Sequence, residues 1–147
     1  MRYLPLFADL ADKKCLLIGG GETAARKLRL LLGAGARPVV LAATIVQEIQ
    51  TAVDDAAVTL SARGFISSDL DGAALVVVAD APRDEAETIA GAARRAGVMV
   101  NVVDQPDLCT VVFPGIIDRD PVLIAVGSAG ASPVLVRRIR ELIERLL

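Results

Sequence analysis

The apolar positions of this chain fall into short unbroken runs separated by segments of helical period. Cys15–Ile18, Pro38–Ala42, a shorter Val58–Ser61, Ala73–Ala79 and Val98–Val103 read as strands. Cys15–Ile18 and Ala73–Ala79 show no polar alternation, so both faces of each are expected to be buried, as in a parallel sheet. Between the runs lie helices. One starts after a glycine turn and ends at Gly33-Ala-Gly35, where glycine suits a C-terminal cap. A second, capped by Thr44, runs to about Val53. Ser67–Leu70 reads as a turn or one helical turn. Arg83–Ala96 reads as a helix with Pro82 near its start and Gly97 closing it. Met1–Ala11 is expected to be an extended lead-in. Strands alternating with helices in this way predict an α/β, Rossmann-like, doubly wound parallel sheet.

The pattern changes after Asp107. Thr110–Phe113, Ile116-Ile117 and Pro121–Val126 are short apolar runs with no helix between them. They predict a hairpin or an antiparallel addition. Ser132 then caps a helix reaching Leu147, with Pro133 in its first turn. Val134, Leu135, Ile139, Leu142, Ile143 and Leu146 recur on it at helical spacing. The expected organisation is a nucleotide-binding Rossmann domain over 1–110 and a β–β–α segment over 111–147. A tail this small cannot bury both faces alone, so it is expected to pack on a second copy and form a homodimer.

Composition narrows the function. The chain has 147 residues, enough for one domain with a real core. Sixteen basic and eighteen acidic residues give a net charge of −2, which argues against a general nucleic-acid binder. The N-terminus has scattered charges and does not read as a signal peptide. No window approaches the ~18 apolar residues of a membrane span, so a cytoplasmic protein is expected. Two cysteines cannot build a disulfide framework. Cys15 reads as a small core residue, and Cys109 as more open, with no nearby partner to activate it. Histidine is absent, which removes the commonest general base and the commonest metal ligand. No metal site is expected. Acid–base chemistry falls to carboxylates, lysines, hydroxyls or a cofactor.

The first βα turn carries G-x-G-x-x-A, with Gly19, Gly21 and Ala24 in the fingerprint places. Gly19 suits the tight turn. Gly21 lets backbone approach a diphosphate, and Ala24 lets the helix lie close to the sheet. The helix start offers amides to an anion. In an open α/β sheet, ligands collect at the carboxyl ends of the strands. There the sequence puts Gly19, Gly20, Gly21, Glu22 and Thr23, then Ala43 and Thr44, then Asp80, then Asp104. Asp104 is the best general-base candidate, or else a turn-capping aspartate before a proline loop. No acid follows the second strand, where a ribose-binding carboxylate is usual, so NAD and NADP are not separated. Arg26 and Lys27 either touch phosphate or solvate the first helix. In the tail, Gly127–Ser132 is a second candidate anion loop. Arg119, Arg137, Arg138 and Arg140 either face a carboxylate-rich ligand or pair with Glu141 and Glu144.

These residues together resemble a known family. Leu4-Pro-Leu-Phe7, Ile18-Gly-Gly-Gly21 with Ala24 and Arg26-Lys27, Asn101-Val-Val-Asp104, Phe113-Pro114, Ile117-Asp-Arg119 and Ser132-Pro-Val-Leu135 with Arg137 are similar to the N-terminal module of siroheme synthases. That is the precorrin-2 dehydrogenase and sirohydrochlorin ferrochelatase family. The resemblance runs over essentially the whole chain. It implies NAD-dependent oxidation of precorrin-2 to sirohydrochlorin, and in many members insertion of ferrous iron as a second substrate. It implies a homodimer built through the tail. It places the acid–base role on Asp104, cofactor contacts on Glu22, Thr23, Ala43 and Thr44, and a tetrapyrrole-site serine on Ser128. The substrate's carboxylates give Ser132, Arg119 and Arg137 an expected role. Ala79-Asp80-Ala81-Pro82 and Ala86 depart from the family's pattern after the fourth main strand. Family members usually continue beyond the point matching Leu147, some with a methyltransferase domain. The alternative is a non-catalytic NAD-binding regulatory module.

Overall fold

Five of the apolar runs pair into one parallel sheet of order β3-β2-β1-β4-β5. The computed structural model describes residues 2–129 and 131–147; Met1 of the lead-in and Gly130 of the small-residue loop lie outside the described residues. The strands are β1 (Lys14–Ile18), β2 (Arg37–Leu41), β3 (Thr59–Ser61), β4 (Ala73–Val78) and β5 (Met99–Val102). Helices α1 (Glu22–Gly33), α2 (Gln47–Asp54) and α3 (Arg83–Ala96) alternate with them, and Ser67–Leu70 forms one 3-10 turn. Residues Leu6–Val111 make one compact unit, and Met1–Pro5 with Val112–Leu147 make another.

Burial explains the sheet. Cys15, Leu16, Leu17, Val76 and Val77 are fully buried, as continuous apolar runs in a two-sided parallel sheet must be. Each large side chain so removed from water contributes about 1.5–3 kcal/mol. Small residues let the helices lie close. Ala24, Ala25, Leu28 and Leu31 form the inner face of α1, and Ala86, Ile89, Ala90 and Ala93 that of α3. Gly97 ends α3 at φ +71, the left-handed cap the sequence suggests.

Register places the strand ends. Ile18 pairs with Leu41 on one side and Val78 on the other, and Val78 pairs with Val102. The loops after β1, β2, β4 and β5 therefore leave the same edge of the sheet. The chain winds outward from β1 to β2 and β3, then returns to β4 on the other side of β1. That reversal is the topological switch point where open α/β sheets bind ligands.

In the second unit, β6 (Gly115–Arg119) and β7 (Val122–Val126) form an antiparallel hairpin, and α4 (Pro133–Glu144) packs on it. A Cβ on Gly115 would stand 2.8 Å from Val136, so glycine is what lets helix and hairpin meet. Ser132 caps α4 by accepting a hydrogen bond from the Leu135 amide at 3.2 Å. No residue of α4 is buried. None of the described helices is long and apolar enough to cross a membrane.

Three details differ from the sequence reading. Thr44 does not cap α2: the Val46 amide donates to the Gly20 carbonyl at 2.8 Å, and the helix begins only at Gln47. Thr110–Phe113 is not a strand, because the Thr110 and Val111 amides both turn to the Val100 carbonyl. Helix α4 ends at Glu144, short of Leu147. Cys109 is more open than buried Cys15, as expected; its Sγ accepts from the Val102 amide at 3.1 Å and donates to the Val102 carbonyl at 3.2 Å. Burial pushes that thiol up from its ordinary pKa, with the Val102 amide opposing.

Candidate functional site

An open groove of about 560 Å³ lies at the switch point. Its walls are the turn Gly19–Gly21, the loop Ala42–Val46 after β2, Arg63-Gly64 after β3, and Asp80 and Glu85 beyond β4. Gly19 takes φ +120, a region L side chains rarely adopt. A Cβ on Gly20 would stand 1.9 Å from the Thr44 carbonyl oxygen. Glycine is thus required at both positions, at Gly19 by backbone geometry and at Gly20 by the close approach of the β2–α2 loop.

Helix α1 opens directly from this turn, with Gly21 as its N-cap. A helix leaves its first amides without internal partners. The Gly21 amide is met by Asp80, whose Oδ2 accepts at 3.0 Å. Thr23 accepts from Arg26 through Oγ1 at 3.1 Å, which draws that guanidinium over the first turn. Glu22 is exposed. The groove combines a glycine turn, a helix start and hydroxyl and carbonyl groups after β2. This donor set fits an extended dinucleotide with its diphosphate at α1.

Arg63 is held in place. Its guanidinium forks onto Asp69, with Nη1 to Oδ2 at 2.9 Å and Nη2 to Oδ1 at 2.6 Å. Asp69 also accepts from the Ile66 amide at 2.9 Å. The Arg63 hydrogen bonds hold the Asp69 carboxyl below the usual carboxylate range, against some desolvation. No acid follows β2: the loop there reads Ala42-Ala43-Thr44.

Asp104 sits at the end of β5, one strand beyond β4, and is not among the residues lining the groove. Its φ is +61, a left-handed conformation uncommon for a side-chain-bearing residue. The turn is fixed from several sides. The Val103 amide donates to the Val78 carbonyl at 2.9 Å and the Gln105 amide to the Val102 carbonyl at 3.2 Å. Buried Asn101 donates from Nδ2 to the Val111 carbonyl at 3.0 Å, pinning the return of the loop. Arg94 donates to the Leu108 carbonyl at 2.8 Å. Strain held by surrounding structure concentrates at functional positions.

Lys27 stands on α1 and is partly buried. Burial lowers its pKa from the usual lysine value, Arg26 adds to that, and Asp104 and Cys109 oppose it. Sequence offers phosphate or solvent for Lys27, and its partial burial, three positions on from buried Ala24, is compatible with either. Arg63 and Glu85 are not singled out in the sequence, because nothing local ties them to the glycine turn.

In the other unit, Ser128 Oγ accepts from the Ser132 amide at 3.0 Å, closing the small-residue loop at the head of α4. Ala129 within it has φ +53. Arg119 ends β6 and donates to the Asp118 carbonyl at 2.9 Å. Arg137 is exposed, and Arg140 pairs with Glu144 at 3.1 Å. Among the described residues no cluster of three carboxylates, cysteines or histidines could hold a metal.

A family model described as putative NAD(P)-binding matches residues 6–115, the whole sheet and the glycine turn. The chain belongs to this NAD(P)-binding family. It is 49% identical over 144 residues to a siroheme synthase of Methylococcus capsulatus, covering 98% of this chain and 30% of the relative. It is 42% identical over 148 residues to a siroheme synthase of Nitrosomonas europaea, covering all of this chain and 31% of that protein. The chain therefore spans just under a third of the curated relatives it matches. Among solved structures, one titled "SirC, precorrin-2 dehydrogenase" superimposes with a TM-score of 0.80 at 23% identity, over 99% of this chain and 71% of that one. That likeness extends the fold match through β6, β7 and α4.

Proposed function

We propose that this chain is an NAD-dependent precorrin-2 dehydrogenase, oxidising precorrin-2 to sirohydrochlorin. The observation that carries the proposal is the groove: a glycine turn and helix start at the switch point, one strand removed from a strained aspartate. The tetrapyrrole substrate rests on similarity to siroheme synthases over nearly all of this chain, which is just under a third of their length.

In this reading Gly19 shapes the turn, its own amide donating to the Leu41 carbonyl, and Gly20, Gly21, Glu22 and Thr23 offer backbone amides to the cofactor's diphosphate. Ala43 and Thr44 meet the adenosine ribose, and Asp80 faces the same groove. Nicotinamide, when bound, is the hydride acceptor. Asp104 takes the proton released as the substrate is oxidised, the role left to a carboxylate in a chain without histidine. Lys27 on α1 contributes positive charge toward Asp104. Ser128, Ser132, Arg119 and Arg137 bind the substrate's carboxylates through hydrogen bonds and charge. Insertion of ferrous iron into sirohydrochlorin is a further proposed activity, with Asp104 assisting loss of the pyrrole protons. The working form is a cytoplasmic homodimer. Val122, Leu123, Val134, Leu135 and Leu142 are exposed on the tail unit, and a second copy is the occupant proposed to cover them.

The test is to supply precorrin-2 and NAD and follow NADH and sirohydrochlorin together. Turnover supports the proposal. Tight NAD binding with no turnover would make the chain a non-catalytic NAD-binding regulatory module, a reading to which Asp104's place outside the groove lining lends some support. Sirohydrochlorin with ferrous ion and no NAD tests the iron step separately.

A further inference from the structure

Asp80 makes a contact that the nucleotide reading does not explain. Its Oδ2 accepts from the Gly21 amide at 3.0 Å, at the N-cap of α1. The same oxygen stands 2.8 Å from where a Cβ on Gly19 would lie, so the carboxylate covers the glycine turn itself. Its backbone is fixed at the end of β4, with the Asp80 amide donating to the Ile18 carbonyl at 3.3 Å. The side chain is exposed and free to turn away from the turn.

A carboxylate on that amide does what a phosphate does there: it accepts the N–H and meets the positive end of the helix. A dinucleotide's diphosphate needs the same ground. Two anions cannot share one amide, and at contact range in a partly exposed groove their repulsion changes affinity by about tenfold or more. The groove offers little relief. Glu85 is a second acid in its wall, and Arg63 is already forked onto Asp69.

We propose that Asp80 is an exchangeable internal anion of the cofactor groove. Its carboxylate competes with the diphosphate for the Gly21 amide, and so sets how tightly the dinucleotide is held and how fast it leaves. Asp80 is then a tuning residue: it weakens the bound state so that the cofactor exchanges readily after each hydride transfer. This rests on the nucleotide reading of the groove.

The test compares wild type with Asp80→Asn and Asp80→Ala. Asparagine keeps the size and an oxygen for Gly21 but removes the charge; alanine frees the amide. Titration calorimetry with NAD and with ADP-ribose is expected to show about tenfold tighter binding in both variants, and stopped flow slower release. Adenosine, which carries no diphosphate, is expected to bind all three proteins alike. Unchanged or weaker NAD binding in Asp80→Asn would overturn the proposal, as would an equal gain for adenosine. If neither wild type nor variants bind any dinucleotide, the nucleotide reading itself falls.

Discussion

The Thr44 carbonyl lies so close over Gly20 that a Cβ there would stand 1.9 Å from its oxygen. The contact is locked by the Val46 amide donating to the Gly20 carbonyl at 2.8 Å. The middle glycine is therefore a packing residue that seats one wall of the groove. Gly20→Ala is expected to cost about 1–3 kcal/mol in denaturant unfolding, the usual range for overpacking, and to weaken dinucleotide binding. Gly21→Ala meets only the exposed Asp80 carboxylate, at 3.1 Å, and is expected to be milder.

Asp104 carries backbone strain in the left-handed region. Asp104→Gly is expected to relieve it, leaving the melting temperature unchanged or raised, while turnover falls about 10²–10⁴-fold. Dinucleotide affinity is expected to stay near wild type, since Asp104 lies outside the groove lining. Turnover retained near the wild-type rate would remove Asp104 from the base role.

The Arg63–Asp69 fork gives the stability a pH dependence. The pairing lowers the Asp69 pKa in the folded chain. The unfolded chain therefore binds the proton first, so this contribution is complete above the ordinary aspartate value and is lost as pH falls through the lowered one. Thermal melts are expected to show the loss setting in below roughly pH 4. Asp69→Asn is expected to lower the melting temperature near neutrality by a few degrees and to flatten that acid limb.

The tail unit exposes Leu142 and Val134 on a helix with no buried residue. Leu142→Glu is expected to shift the chain from dimer to monomer in sedimentation experiments with little change in circular dichroism. A wild-type chain that sediments as a monomer at micromolar concentration would contradict the homodimer.

Much of the fold was legible because strands buried on both faces must be apolar throughout, and Cys15–Ile18 and Ala73–Val78 are. Pro82, Gly97 and Ser132 mark helix ends by local chemistry, and local chemistry reads well. What could not be read was set by contacts distant in sequence. Asp80 reaches Gly21 across 59 positions, and the Val46 amide at the N-cap of α2 is met by the Gly20 carbonyl from the first βα turn. The Thr110 segment looks like a strand by composition, yet its amides share one carbonyl on β5. Of the candidate site, the glycine turn and the strand-end residues were visible from spacing. Arg63's place in the groove depended on how the β3 loop folds over the sheet.

The proposed reaction is hydride transfer from precorrin-2 to NAD on this chain. Anaerobic incubation of the purified protein with precorrin-2 and NAD, following NADH and sirohydrochlorin absorption together, tests it most directly. One NADH is expected per sirohydrochlorin, in a reaction catalytic in protein and abolished in Asp104→Ala. Saturable NAD binding with no NADH above a protein-free control would contradict it.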